Sequence, residues 1–235
     1  MDQELLKILE SKPLQSLPVV GFFSNYPVEK RLQRGSFLLL TGTSDYPWAY
    51  LCGDNPEELI TILDDFDFET SYFANVEDWM MPILTQNRKI EWKLTTHRYY
   101  ISPDVKISQP TISTRQLEPS MARQIFENSD YKDFTSVEYI SDRLEKDVSA
   151  GVWVNGQLAG WGLTHDDSSL GFLNVLPEYR GQGLGENLLR GLAIQKRNNE
   201  KPVFVNVEPH NQQSIKLIKK IGFSFDREVS WIKLA

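Results

Sequence analysis

The sequence predicts an α+β protein: a mixed, mostly antiparallel sheet flanked by helices, preceded by a smaller α/β N-terminal domain. Three observations lead there. Gly151-Val-Trp-Val-Asn155-Gly156-Gln-Leu-Ala-Gly-Trp-Gly-Leu-Thr164 alternates around Asn-Gly, the pair preferred in a type I′ turn, and so forms an antiparallel hairpin. From Leu170 to Leu234 strands alternate with amphipathic helices in the order β-α-β-α-β, which mixes another pairing mode into the sheet. Ahead of both, Ser102-Pro-Asp and Ser108-Gln-Pro110 read as a linker, placing one domain at 1–108 and the other at 109–235.

Each element has its own signal. Leu5, Leu6 and Leu9 fall at helical spacing within residues 2–11. Residues 36–41 and 48–52 are apolar runs divided by Gly42-Thr-Ser-Asp-Tyr-Pro47, a hairpin with a longer loop. Asn55-Pro56-Glu57-Glu58 supplies an N-cap, a proline at the first helical position and two first-turn acids, so a helix runs to Asp65. Strands are expected at 70–74 and 94–101, with a helix over 76–86 between them. After the linker come a strand at 112–116, helices at 119–128 and 137–147, the hairpin, and a strand at 170–176. A helix striped by Leu184, Leu188, Leu189, Leu192 and Ala193 follows, then a strand at 203–207, a helix at 211–221 and a closing strand at 225–234. The chain contains no sequence repeat and no low-complexity segment.

Charge is uneven. Residues 180–235 carry ten Lys/Arg against five Asp/Glu, and the rest of the chain carries 15 against 27, for a net charge of −7. An acidic chain with one basic end lacks the extended positive surface that nucleic acid requires, yet that end can hold a compact anion. No run nears the ~20 apolar residues of a membrane span. The start, Met1-Asp-Gln-Glu-Leu-Leu-Lys, lacks the basic-then-apolar order of a secretion signal, so a cytoplasmic protein is expected. The single cysteine, Cys52, excludes an intramolecular disulfide and a multi-thiolate metal site, and suits a reducing compartment.

The chemistry concentrates where a strand ending Leu173-Asn174-Val175-Leu-Pro-Glu-Tyr meets Arg180-Gly181-Gln182-Gly183-Leu184-Gly185 and an amphipathic helix. Glycines let a ligand lie against the main chain, and free amides at the helix start point at it with the positive end of the dipole, which makes a phosphate cradle. A Walker loop would continue Gly-Lys-Ser/Thr, but Glu186-Asn187 follows Gly185. A dinucleotide fingerprint would place a third glycine at residue 186. Both are excluded.

At these residues the sequence resembles the GCN5-related N-acetyltransferase superfamily, whose signature is Arg or Gln, two residues, Gly, one residue, then Gly or Ala; Arg180, Gly183 and Gly185 satisfy it. The preceding Asn-Val-Leu-Pro strand end, the later strand at 203–207, Asn211-Gln-Gln-Ser214 and Gly222-Phe223 fall in matching order over residues 111–235. Leu-Pro-Glu-Tyr-Arg-Gly-Gln-Gly-Leu is also similar to the glycine N-acyltransferase-like branch.

The resemblance implies an N-acyltransferase, most simply an N-acetyltransferase, that moves an acyl group from acetyl-CoA or another acyl-CoA to a primary amine of a small molecule or amino acid. Leu173, Asn174 and Val175 would hold pantetheine strand-fashion, and the amides of Gly181, Gln182, Gly183, Leu184, Gly185 and Glu186 would hold the pyrophosphate. Asn211 and Ser214 would flank the pantetheine arm. A neutral amine would attack the thioester directly, with the oxyanion on a main-chain N–H near Leu173 and no metal required.

Two positions depart from the family pattern. The usual general-acid tyrosine, seven residues after the asparagine, is Ile218, and the usual glutamate base is Ser169. Ser169 or Ser214 ordering a water would then assist, with proximity supplying much of the rate.

Plainer readings stand beside these. Asn211 is also an ordinary N-cap, and Ser214 a helix residue that packs or back-bonds. His165 and His210 are loop residues near the inferred cleft that could serve as bases. Trp153, Trp161 and Trp231 alternate like core residues, and Lys216, Lys219 and Lys220 form a solvated helix face within reach of a 3′-phosphate. Ile218 and Ser169 also admit a non-catalytic acyl-CoA-binding regulatory module. A third reading makes 1–108 a module that delivers a polypeptide amine. Acceptor, acyl length and oligomeric state stay open.

Overall fold

The computed structural model describes residues 2–129 and 131–235. In chain order the elements are α1 (Gln3–Glu10), α2 (Leu17–Phe23), β1 (Lys30–Arg34), β2 (Phe37–Thr43), β3 (Pro47–Cys52), α3 (Pro56–Asp65), β4 (Tyr72–Val76), α4 (Met81–Leu84) and β5 (Ile90–Tyr100). They continue with α5 (Ala122–Glu127), α6 (Val137–Lys146), β6 (Ser149–Val154), β7 (Gln157–Thr164), β8 (Leu170–Val175), α7 (Leu184–Asn198), β9 (Phe204–Val207), α8 (Gln212–Ile221) and β10 (Ser224–Leu234). Mixed strands flanked by helices make the class α+β.

Two compact units result. One holds the chain up to Arg98 with Glu208–His210 and Asp226–Ala235; the other holds Tyr99–Val207 and Asn211–Phe225. The division thus falls at Arg98 and Tyr99, whereas the Pro-containing stretch suggests residue 108. That stretch is tied down: the Arg197 guanidinium donates to the carbonyls of Ser102 (2.8 Å) and Val105 (2.6 Å).

In the first unit the strand order is β1-β2-β3-β4-β10-β5. Residues of β2 alternate between two cores: Phe37 and Leu39 pack with Leu59, Ile62 and Phe73, while Leu38 and Leu40 pack with Leu5, Leu9 and Phe22. Burial on both faces explains the unbroken Phe-Leu-Leu-Leu run. β10 pairs antiparallel with β4, Ile232 facing Phe73 and Lys233 facing Tyr72.

In the second unit the order is β9-β8-β7-β6, and the Ile101 N–H donates to the Val203 carbonyl at 3.0 Å. One face packs Leu170, Val205, Leu188, Leu192, Ile215 and Ile218. The other packs Ile125, Ile140, Leu144, Trp161 and Leu163. Asn155 and Gly156 both take positive φ (50° and 82°), as the type I′ hairpin between β6 and β7 requires.

The connectivity is doubled. β1, β2, β3, α3, β4, α4 and β5 recur in kind as β6, β7, β8, α7, β9, α8 and β10, and the pairings agree: antiparallel, antiparallel, then parallel. The repeat lies in topology, so the absence of repeated residues conceals it.

Other differences from the sequence reading have local causes. In place of a helix at 76–86, β4 runs through Val76 and gives way to a 3₁₀ turn at Asp78–Met80 and the single turn α4, which starts around Pro82. The strand at 112–116 is reduced to one bridge, Arg115↔Gly151. α2 is Leu-Pro-Val-Val-Gly-Phe-Phe, buried at five of seven positions and without amphipathic period, and β1 is a polar edge strand; neither announces itself by pattern.

Candidate functional site

β8 forms one side of the site. It pairs antiparallel with β7, but it meets its parallel neighbour β9 at a single register pair, Leu170↔Val205. Among the described residues the β9-facing edge has no further ladder beyond that pair. The Leu176 N–H donates to Ala159 O at 2.9 Å, so by strand alternation the main-chain groups of Val175 and Leu173 face away from β7, onto that open edge. A bulge interrupts β8: the register shifts between Trp161 and Leu163, and Phe172 takes φ 48°. In the first unit the equivalent β3 and β4 are zipped over three pairs, Trp48↔Tyr72 to Tyr50↔Ala74.

At the end of the open edge the chain turns through Pro177–Tyr179 into the glycine loop. Gly181 and Gly183 have φ of 79° and 76°, which only glycine adopts freely, and a β-carbon at Gly181 would meet nothing within 4 Å. Gly183 caps α7 with no side chain, and the first helical bond runs from Asn187 N to Gly183 O. The amides of Leu184, Gly185 and Glu186 are therefore uncapped, and among the described residues those of Gly181, Gln182 and Gly183 have no acceptor either. A β-carbon at Gly185 would stand 3.8 Å from Val175 Cγ2, so the loop lies directly beside the open strand edge.

The matching turn before α3 is closed. Asn55 Oδ1 caps the amides of Glu57 and Glu58 (2.9 and 3.4 Å), and the Glu58 carboxylate accepts from the amides of Ser36 and Phe37 (3.1 and 3.0 Å). Of the two equivalent turns, only the one in the second unit offers uncapped donors to an anion.

Other side chains hold the cradle. The Arg180 Nε donates to the Val175 carbonyl at 2.9 Å, folding the loop back onto β8. Glu186 pairs with Lys220 (2.6 Å) and Arg190 (2.8 Å), and the hydrogen bond from Lys220, then that from Arg190, holds its carboxyl below the ordinary value. Asn187 was not anticipated. Its Oδ1 accepts from the amides of Thr111 (2.6 Å) and Ile112 (3.0 Å) and its Nδ2 donates to Gly183 O (3.0 Å), fastening the loop to the start of the unit. A polar residue inside the Leu184–Leu188–Leu189 stripe was the available signal. A cavity of ≈ 260 Å³ opens here, lined by Gln109, Thr111, Gln182, Glu186, Asn187 and Arg190.

The remaining expected residues are placed as follows. Asn211 Oδ1 accepts from the Ser214 amide at 3.0 Å, so Asn211 is the N-cap of α8, with Ser214 half-buried in its first turn. Asn174 Nδ2 donates to Asn128 O at 3.0 Å, next to α5. Ser169 is buried, and its hydroxyl donates to Asp167 Oδ1 at 2.6 Å. Ile218 is a core residue, 3% exposed.

Ser169 closes a tight turn in which the His165 amide donates to Ser169 O (2.9 Å) and the Ser168 amide to His165 O (2.9 Å). Beneath it lies a buried ionic cluster. Lys196 Nζ, from α7, donates to Ser168 O at 2.9 Å, to the Ser168 hydroxyl, and to Asp147 Oδ2 at 3.3 Å. Asp147 also receives Lys201 (2.8 Å), the Val148 amide (2.9 Å) and the Ser168 hydroxyl. Burial alone would raise the Asp147 carboxyl; the charge of Lys196 and these hydrogen bonds bring it down to about 2. Burial pushes Lys196 down to about 8 against the pull of Asp147.

Residues 151–232, which include the hairpin, the cradle and α8, match the family described as FR47-like protein. Solved structures share the fold over nearly the whole chain. A Drosophila protein superposes with a TM-score of 0.82 at 18% identity, covering 100% of this chain and 97% of its own. A GCN5-related N-acetyltransferase from Kribbella flavida gives 0.60 at 11% identity, covering 94% of each chain. An acetyltransferase of the GNAT family from Colwellia psychrerythraea gives 0.52 at 13% identity, covering 94% and 97%. No curated protein matches the sequence. The chain therefore has the fold of the GNAT acetyltransferases, both units included. Among the described residues no helix is long and apolar enough to cross a membrane.

Proposed function

We propose that the protein is an acyl-CoA-dependent N-acyltransferase, using acetyl-CoA or a longer acyl-CoA to acylate a primary amine of a small molecule or amino acid. The observation that carries this reading is the pairing of six amides, from Gly181 to Glu186, that have no acceptor among the described residues, with the unladdered edge of β8 at Leu173 and the Val175 N–H, the Val175 carbonyl being held by Arg180. A diphosphate suits the first and an extended amide-bearing arm the second. The amine nitrogen would bond to the thioester carbon, the oxyanion would take an N–H near Leu173, and collapse would break the C–S bond and release CoA thiolate. The Leu-Pro-Glu-Tyr-Arg-Gly-Gln-Gly-Leu run supports the glycine N-acyltransferase-like branch. We place the protein in the cytoplasm, in line with its one free thiol, Cys52, which burial pushes up to about 12.

The test is thiol release from acetyl-CoA across a panel of amines and amino acids. Specific acylated product supports the reading; silence across the panel with measurable acetyl-CoA binding refutes it. The second reading, a non-catalytic acyl-CoA-binding module, is favoured by two placements: Ile218 in the core and Ser169 with its hydroxyl donating to Asp167. It requires tight binding without turnover, so any acylated product detected by mass spectrometry refutes it.

A further inference from the structure

The two positions where an acid and a base are expected hold neither, yet a titratable side chain stands at the place the reaction needs one. Leu170, Leu173 and Val175 of β8 belong with the α7 and α8 core, and a β-carbon on Gly162 would lie 3.3 Å from Leu173 Cδ1 and 2.7 Å from Leu192 Cδ1 on that same face. The bulge turns Gly171 and Phe172 together to the opposite face, where Phe172 joins the α5 and α6 core. The imidazole of His165 packs against that surface. A β-carbon on Gly171 would come within 2.1 Å of His165 Nε2 and 2.4 Å of its Cδ2, so residue 171 must be glycine for the ring to rest there. The ring also packs on Phe172, with centroids 4.7 Å apart.

Nε2 is thereby fixed over residue 171, one step beyond the Leu170↔Val205 pair at which β8 and β9 part. It stands at the far end of the open edge from the cradle, and on the face away from α7. The turn that carries it is rigid: its main chain is closed by the two bonds between His165 and the pair Ser168 and Ser169. The Asp166 amide donates to the Tyr139 hydroxyl at 3.0 Å, and Lys196 grips Ser168 O. A donor laid along β8 with its diphosphate on the cradle would run toward this vertex with its thioester end. An amine arriving from the α5 and α6 face then meets the imidazole.

We infer that His165 is the general base of the reaction, an assignment that rests on the acyl-transfer reading. As the amine nitrogen bonds to the thioester carbon, Nε2 takes the proton that the nitrogen must lose. The C–S bond breaks, the thiolate leaves as CoA, and the imidazolium returns its proton to the thiolate or to water. Gly171 and the ionic cluster below the turn act as positioning elements for that ring.

The experiment compares the intact protein with His165→Gln and His165→Ala, using acetyl-CoA and the best amine from the panel. Expected is a fall in kcat of about 10²-fold or more with acetyl-CoA affinity unchanged, loss of the acid limb of the kcat/KM–pH profile, and partial rescue of His165→Ala by added imidazole. A thermal melt confirms that each variant folds; should His165→Ala melt early, His165→Gln carries the comparison. Variants that keep the parent kcat and acid limb overturn the assignment while leaving acyl transfer intact. Loss of acetyl-CoA binding in a folded variant also overturns it, because it makes the ring a support for the donor site. A parent that binds acetyl-CoA and acylates no amine removes the reaction itself and the base with it.

Discussion

Replacing Asp147 by Asn keeps the shape of the side chain and removes its charge. Asp147 and Lys196 are both 0% exposed, and Arg143, also 0% exposed, stands 3.8 Å from the same carboxylate. The substitution leaves two buried cations facing a neutral amide, and breaking a buried pair in this way costs about 3–5 kcal/mol. That is a large share of the ~5–15 kcal/mol by which native domains are stable. The loss carries a pH signature. Lys196 has a folded value, about 8, below its ordinary 10.5, so between these values the unfolded chain binds more protons and stability rises with pH. Without Asp147 the folded value falls further, and the gain on raising pH begins earlier. Urea unfolding followed by tryptophan fluorescence at pH 6, 7, 8 and 9 should show the largest deficit at pH 6 and a narrowing gap above it. Because Lys196 also secures Ser168, kcat should drop while acetyl-CoA affinity holds. A deficit below about 1 kcal/mol, or one equal at every pH, would refute the reasoning.

Other expectations are as direct. The parent protein should lose about 2 kcal/mol as pH falls from 4 to 2, because the Asp147 carboxyl is held at about 2 instead of 3.8, and Asp147→Asn should lack that component when urea unfolding is repeated across that acid range. Gly183→Ala forces a side chain into φ 76°, at about 1–2 kcal/mol, and should weaken acetyl-CoA binding tenfold or more by calorimetry; unchanged affinity removes the cradle from donor binding. Asn187→Leu orphans the amides of Thr111 and Ile112 and should cost about 2–4 kcal/mol in chemical denaturation. Ile218→Tyr, which restores the family's usual acid, should overpack the core by about 1–3 kcal/mol and leave kcat no higher, measured by melting and by thiol release.

What the sequence disclosed followed from local physics. The Asn155-Gly156 turn, the Asn55-Pro56 helix start and the glycines before α7 are each dictated by backbone preferences within a few residues, and each lies where expected. What stayed hidden depends on distant partners. β10 reads as a closing strand, but nothing in Ser224–Leu234 says that it pairs with β4. The sequence offers His165 and His210 alike as loop histidines near the cleft that could serve as bases, and nothing local says that Gly171, six residues on, is the floor beneath His165. Asp147 and Lys196 are 49 residues apart, and neither alone suggests a buried contact.

The pairing of β10 with β4 also bears on how the chain is made. A domain emerging from the ribosome ordinarily folds once its own residues are out. Here the first unit lacks an internal strand until Leu234 has been synthesised, so β4 exposes unpaired main chain throughout translation of the second unit. Nascent chains stalled before residue 224 should bind chaperones through that edge and stay sensitive to protease in the first hundred residues. Supplying Ser224–Leu234 as a separate peptide should protect them.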